Sequence, residues 1–145
     1  MSANADWSHS LRVYWEDTDA GGVVFYANYL KFFERARTEW LRQRGIGQQA
    51  LREQTGAIFV VADTALRYLA PARLDDQLRI TVVPLELGRA SMSLQQQAWK
   101  LPASGDTETG AQCLLCEGRI RIGCVDASSF RPVRFPTAIN QALCP

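Results

Sequence analysis

Glu16-Asp17-Thr18-Asp19-Ala20-Gly21-Gly22-Val23-Val24-Phe25-Tyr26-Ala27-Asn28-Tyr29 separates two different hydrophobic periods, and that change of period decides the fold. Upstream, Leu11, Val13 and Trp15 alternate with Arg12, Tyr14 and Glu16, the pattern of a strand with one buried face. Downstream, Tyr29, Phe33, Ala36, Trp40 and Leu41 recur at three- and four-residue steps, with Lys31, Glu34, Arg35, Arg37, Glu39 and Arg42 on the polar side. The spacing predicts a helix from about Ala27 to Arg44, with Arg35 and Glu39 paired one turn apart and Gly45 ending it. The bend between strand and helix therefore sets carboxylates and paired glycines beside unpaired backbone N–H groups. Such a place suits chemistry on a carbonyl.

Outward from the helix, Gly45-Ile46-Gly47 breaks the chain before a shorter helical piece from Gln48 to Gln54. Strand patterns then dominate. Ala57 to Leu69 is rich in β-formers and stops at Ala70-Pro71, and Leu78, Ile80 and Val82 alternate with Arg79, Thr81 and Val83. Ala90, Met92, Leu94, Gln96 and Ala98 form one stripe of the next strand, which ends in a turn at Ala103-Ser104-Gly105-Asp106. The last long strand runs from about Ala111 to Val125, with Ile120, Ile122 and Cys124 on one side. Short connections between long strands favour antiparallel pairing, so the fold class is α+β, one helix against one long antiparallel sheet. A sheet of this kind has a far face and edges to cover, which predicts a homodimer or a larger assembly. The tail from Ser128 through Pro132 and Pro136 to a short piece at Thr137–Leu143 is expected to be a surface cap.

A chain of 145 residues fits one domain, residues 1–145, with residues 1–9 expected to be a flexible tail carrying the lone His9. Hydrophobic residues make up 47% and charged residues 21%, the range of ordinary globular proteins, and a net charge of +1 offers nothing to nucleic acid. The N-terminal residues lack the basic and apolar regions of a leader, and no stretch is long enough to span a bilayer, so a cytoplasmic location is expected. Cys113, Cys116, Cys124 and Cys144 do not have the spacing of a secreted disulfide framework. Cys113 and Cys116 form a C-x-x-C within a strand, where residues three apart face opposite ways; both are expected to act as small buried apolar side chains.

Asp19 is the candidate catalytic carboxylate: beside a desolvated cleft it could attack a carbonyl or deprotonate a water. The same residue could simply cap the bend, for which aspartate is well suited. Asp17 would share a face with Asp19 in an extended chain, but Gly21 and Asn28 occupy positions where a calcium loop needs ligands. No metal is expected, and Asp17 is read as a brace of the loop. Gly21 and Gly22 would let the backbone come close to a ligand.

Tyr14 to Tyr29, continued by Phe32-Phe33-Glu34-Arg35-Ala36-Arg37-Thr38-Glu39, resembles the signature of the hotdog-fold acyl-CoA thioesterases, nearest to the tol-pal-associated (YbgC-type) branch, with hydroxybenzoyl-CoA thioesterases as relatives. Tyr68-Leu69-Ala70-Pro71-Ala72-Arg73-Leu74-Asp75-Asp76 and Cys124-Val125-Asp126 extend the likeness over nearly the whole chain. The resemblance implies a sheet wrapped around one central helix and hydrolysis of acyl-CoA to a carboxylic acid and CoA. It implies Asp19 as nucleophile or general base, and the Tyr26 backbone N–H, on the first turn of the helix, as donor to the thioester oxygen. Arg89, Ser91 and Arg131 match positions near the CoA phosphates in the hydroxybenzoyl-CoA enzymes, and Phe59, Val60 and Val61 would line the acyl pocket from a partner subunit. CoA would enter as part of the substrate, with no separate cofactor, and the assembly would be a dimer or a dimer of dimers (a homotetramer). The tol-pal-associated branch usually carries histidine where this chain has Tyr26, and with it goes any mechanism needing an imidazole from the motif. Rival expectations are a hotdog dehydratase, whose usual histidine is also missing, and a scaffold that holds acyl carrier protein or lipid-synthesis partners and turns over little.

Overall fold

Phe32, Phe33, Ala36, Trp40 and Leu41 lie along one side of helix α1 (Asn28–Gln43), and all are buried. Burying a side chain of this kind contributes roughly 1.5–3 kcal/mol, so this one face can anchor a domain. The computed structural model describes residues 7–102 and 112–143; the turn expected at Ala103–Asp106 and Cys144 lie outside the described residues. The elements run β1 (Ser8–Arg12), α1, α2 (Gln48–Thr55), β2 (Ala57–Tyr68), β3 (Gln77–Thr81), β4 (Val83–Leu87), β5 (Ser91–Lys100), β6 (Cys113–Asp126) and α3 (Thr137–Leu143).

All the strand pairs are antiparallel in one six-stranded sheet of order β1-β3-β5-β6-β2, with β4 beside β5. β3 and β4 follow β5 in succession, Leu78 opposite Lys100 and Val83 opposite Gln95. The α+β architecture is as expected, with α1 packed on β1, β3 and β5. The stripe Met92, Leu94, Gln96, Ala98 faces this core, and so do Ile120, Ile122 and Cys124 of β6. Gly118 lets the layers close: a Cβ there would overlap Leu66 Cδ2 and sit 3.3 Å from Phe33 Cε2. At its C-terminus α1 ends in a Schellman arrangement, Ile46 N–H donating to Leu41 O at 2.9 Å and Gly45 N–H to Arg42 O at 3.0 Å.

Local structure departs from the sequence pattern in several places. The first strand stops at Arg12, and Trp15–Asp17 form a 3-10 turn that leaves Trp15 80% exposed instead of buried. Ser8 and His9, expected within a flexible tail over residues 1–9, instead pair with Thr81 and Ile80 in β1. Glu39 pairs with Arg42 at 3.2 Å, one turn toward the C-terminus, in place of Arg35. Cys116 is buried as expected, but Cys113 at the strand's start is exposed. The tail is more than a surface cap: Phe135 and Ile139 are buried, and Val133 N–H donates to Cys124 O at 3.0 Å, continuing the sheet past the start of β5.

Candidate active site

Thr18 and Val24 form an isolated antiparallel bridge, and the residues between them make a tight loop. Asp19 N–H donates to Val23 O at 2.9 Å, and Gly22 N–H donates to Asp19 O at 3.0 Å. Gly22 has φ +81, a left-handed conformation that glycine adopts without Cβ strain. Asp19 Oδ1 accepts the Gly21 N–H at 2.8 Å and, more weakly, the Val23 N–H at 3.5 Å. The side chain thus does cap the bend. Its other oxygen, Oδ2, has no hydrogen-bond partner among the described residues, and the residue is exposed. One oxygen orients the carboxylate while the other is open for chemistry.

Asp17 does not share that face. It is 8% exposed, and its Oδ2 accepts the Tyr14 N–H at 2.8 Å, closing the 3-10 turn. Its carbonyl oxygen accepts two donors, the Phe25 N–H at 2.9 Å and the buried Asn28 Nδ2 at 2.8 Å. The Asp19 loop is therefore tied to the start of α1 by the peptide of Asp17. Asn28 is a residue that sequence reading passed over except as a failed calcium position.

Tyr26 lies just ahead of α1, two residues before Asn28, not on the helix's first turn. Asn28 N–H donates to Phe25 O at 2.8 Å and Leu30 N–H to Ala27 O at 3.1 Å, the short bonds of a tightened helix start. Ala27 at the N-cap makes no side-chain bond, and the Tyr26 N–H has no acceptor among the described residues. An orphan N–H at the positive end of the helix dipole is a ready donor to an oxyanion. The Tyr26 carbonyl is occupied: Tyr68 Oη donates to it at 2.9 Å. Tyr68 stands at the end of β2, and its ring meets Tyr26 edge-on at 6.2 Å and Tyr29 at 5.7 Å. Burial pushes the Tyr29 hydroxyl up to about 12 and raises that of Tyr68, which keeps Tyr68 protonated as a donor.

The remaining sequence candidates fall in two other places. Phe59, Val60 and Val61 line a cavity of about 140 Å³ with Glu34, Arg37, Thr38 and Ile122 of their own chain. The exposed side of that segment, where Val61 is half uncovered, is also open to a neighbour. Arg89 and Arg131 are brought to one corner by the tail: Phe135 N–H donates to Arg89 O at 2.8 Å, and Asp126 N–H to Arg131 O at 2.9 Å. Both arginines are exposed there, and Ser91 opens β5 opposite Gly123. Asp126 holds the corner through Ser128 and Ser129 N–H bonds at 3.0 and 2.9 Å, which keep its carboxyl below the usual range. Arg37, assigned to the polar side of α1, instead reaches inward; its Nη1 donates to the fully buried Gln96 Oε1 at 3.0 Å, and burial lowers its pKa.

The model of the thioesterase-like superfamily matches residues 13–143. The chain is 38% identical over 136 residues to the acyl-CoA thioesterase YbgC of Haemophilus influenzae, covering 94% of this chain and 93% of the relative. It is 40% identical over 129 residues to the acyl-CoA thioester hydrolase YbgC of Escherichia coli O6:H1, covering 89% of each. Among solved structures, a probable thioesterase from Bartonella henselae is similar at 30% identity and a TM-score of 0.76, covering 90% of this chain and 98% of that one.

Proposed function

The chain belongs to the thioesterase-like superfamily, with the hotdog fold, and from that premise we propose how it hydrolyses acyl-CoA: Asp19 supplies the reactive carboxylate and the Tyr26 backbone N–H holds the thioester oxygen. The overall reaction converts R–CO–S–CoA and water into R–COOH and HS–CoA. Asp19 Oδ2 either takes a proton from the attacking water or itself attacks the carbonyl carbon. In the second case the tetrahedral intermediate expels CoA as thiolate and leaves a mixed anhydride on Asp19, which water then opens to the acid and the free carboxylate. In both, negative charge grows on the thioester oxygen, and one aimed donor is typically worth ~3 kcal/mol at that point. The single observation that carries this reading is the pairing of an oriented carboxylate with an orphan N–H on backbone joined through Asp17. The chemistry asks for no separate cofactor, and CoA is part of the substrate.

The site is open in one chain: Asp19 and Tyr26 are both exposed, and β2 is exposed along most of its length from Val61 onward. A homo-oligomer that covers β2 and roofs the carboxylate supplies the dry cleft such catalysis needs. Gly21 and Gly22 give a ligand close access to the loop, and Phe59, Val60 and Val61 present an apolar edge for the acyl group at that interface. The corner of Arg89, Ser91 and Arg131 suits CoA phosphates, arginine by its bidentate fork. A cytoplasmic enzyme, in a role tied to an envelope system or to acyl carrier protein, fits the same reading.

The test offers purified protein a panel of acyl-CoAs while free thiol is followed. Asp19→Asn should lower hydrolysis at least a hundredfold with fold and oligomer intact, a size that fits loss of a base or nucleophile. Activity kept by that variant rejects the role given to Asp19. Absence of turnover on every chain length, with tight binding to acyl carrier protein, favours the scaffold instead.

A further inference from the structure

An amide donor stabilises an oxyanion only if it is aimed, so what fixes the Tyr26 N–H matters as much as its presence. That N–H belongs to the peptide between Phe25 and Tyr26, and none of the described peptide bonds is cis. In a trans peptide the N–H and C=O point opposite ways. The Phe25 carbonyl is held by the Asn28 N–H at 2.8 Å, so the Tyr26 N–H is directed away from the helix. The next peptide plane is joined to the first only by the two backbone dihedrals of Tyr26. Its carbonyl has one side-chain partner, the Tyr68 hydroxyl at 2.9 Å, from a strand 42 residues away in sequence.

We propose that Tyr68 is a positioning residue for catalysis: its hydroxyl, by holding the Tyr26 carbonyl, fixes the backbone dihedrals that aim the Tyr26 N–H at the thioester oxygen. This rests on the reading of Tyr26 as the oxyanion donor. Tyr68 sits where strand β2 gives way to Leu69-Ala70-Pro71, and Leu69 and Ala70 N–H both donate to Leu115 O, at 2.8 and 3.2 Å. The strand end is thus pinned to β6, and the phenol reaches from a rigid platform. Its ring is wedged edge-on between Tyr26 and Tyr29, which limits its rotamers. Two anchors, Asn28 behind and Tyr68 ahead, hold the turn from opposite sides. Ring packing and hydroxyl bonding are separable here, because Tyr68→Phe keeps the former and deletes the latter.

The experiment measures kcat and KM for the best acyl-CoA, and thermal unfolding, for wild type, Tyr68→Phe and Asp19→Asn side by side. The expected result is a kcat about tenfold lower in Tyr68→Phe, since misplacement near 1 Å is worth up to about 100-fold. KM should stay within about threefold, and the melting temperature should be near that of wild type. A structural role alone would move the melting temperature and not the kcat. Tyr68→Phe with wild-type kcat, beside a disabled Asp19→Asn, overturns the inference and leaves the Asp19 reading standing. An active Asp19→Asn beside an impaired Tyr68→Phe rejects the carboxylate's role and keeps the donor's. A fall in kcat matched by an equal fall in folded protein also overturns the inference.

Discussion

Gln96→Leu tests how the central helix is locked to the sheet. Gln96 is fully buried in β5, with Nε2 donating to Phe33 O at 3.0 Å and to Thr81 O at 3.4 Å while Oε1 accepts Arg37 Nη1. Leucine matches the size but makes none of these bonds. The Phe33 carbonyl lies inside α1 and keeps the helix's own ladder, so its loss costs little. Arg37 is different, because its guanidinium is already desolvated enough to lower its pKa, and without Oε1 it keeps a donor turned toward leucine. Orphaning a buried polar group costs about 1–3 kcal/mol, and more with charge, so a total of about 3 kcal/mol is expected. At ~3 °C per kcal/mol for a domain of this size, the melting temperature should fall by about 10 °C. A double-mutant cycle sharpens the test. Arg37→Leu alone strands Gln96 Oε1, whereas Arg37→Leu with Gln96→Leu removes both partners and should cost at least about 1 kcal/mol less than the sum. Urea unfolding of the four proteins measures this. Strict additivity, or a Gln96→Leu loss below about 1 kcal/mol, refutes the view that the pair is a buried, mutually satisfied anchor.

Gly22→Ala probes the loop that carries Asp19. No atom lies within 4 Å of the added Cβ, so the cost is conformational, about 1–2 kcal/mol at φ +81. The expected outcome is a modest loss in urea midpoint with a disproportionate loss of kcat as Asp19 shifts; full activity would mean the loop's shape is not needed. Alkaline pH should also destabilise the fold. Burial holds Cys116 and Tyr29 up to about 12, above ordinary values of 9.0 and 10.0. Between those values the folded chain keeps protons that the unfolded chain releases, so stability is full below about pH 9 and falls as pH rises toward 12. Urea midpoints from pH 8 upward measure the slope, and Cys116→Ala should make it shallower whatever it does to stability at pH 8.

The helix was legible because Tyr29, Phe33, Ala36, Trp40 and Leu41 repeat at its own period, and β5 because Met92, Leu94, Gln96 and Ala98 alternate; in both, the buried face wrote itself into the order of residues. Periodicity misread Trp15 because a 3-10 turn of three residues is too short to leave a period, and Asp17's own side chain, bonding back to Tyr14 N–H, sets it. Arg37 was misplaced for a related reason: a helical wheel assigns charge to solvent, and nothing local announces that Gln96, 59 residues away, waits with an acceptor. The site divides along the same line. Asp19 and the glycines lie together in sequence and can be read there, since an Asx bend is made by neighbours. The contacts around the proposed donor are of both kinds: Asn28, within the motif, bonds across the loop to Asp17 O, whereas Tyr68 arrives from the far end of β2. The proposed reactive groups are therefore local, while the Tyr68 contact proposed to align them is not. It follows that substitutions distant in sequence, at Tyr68 above all, should alter turnover without touching the motif itself.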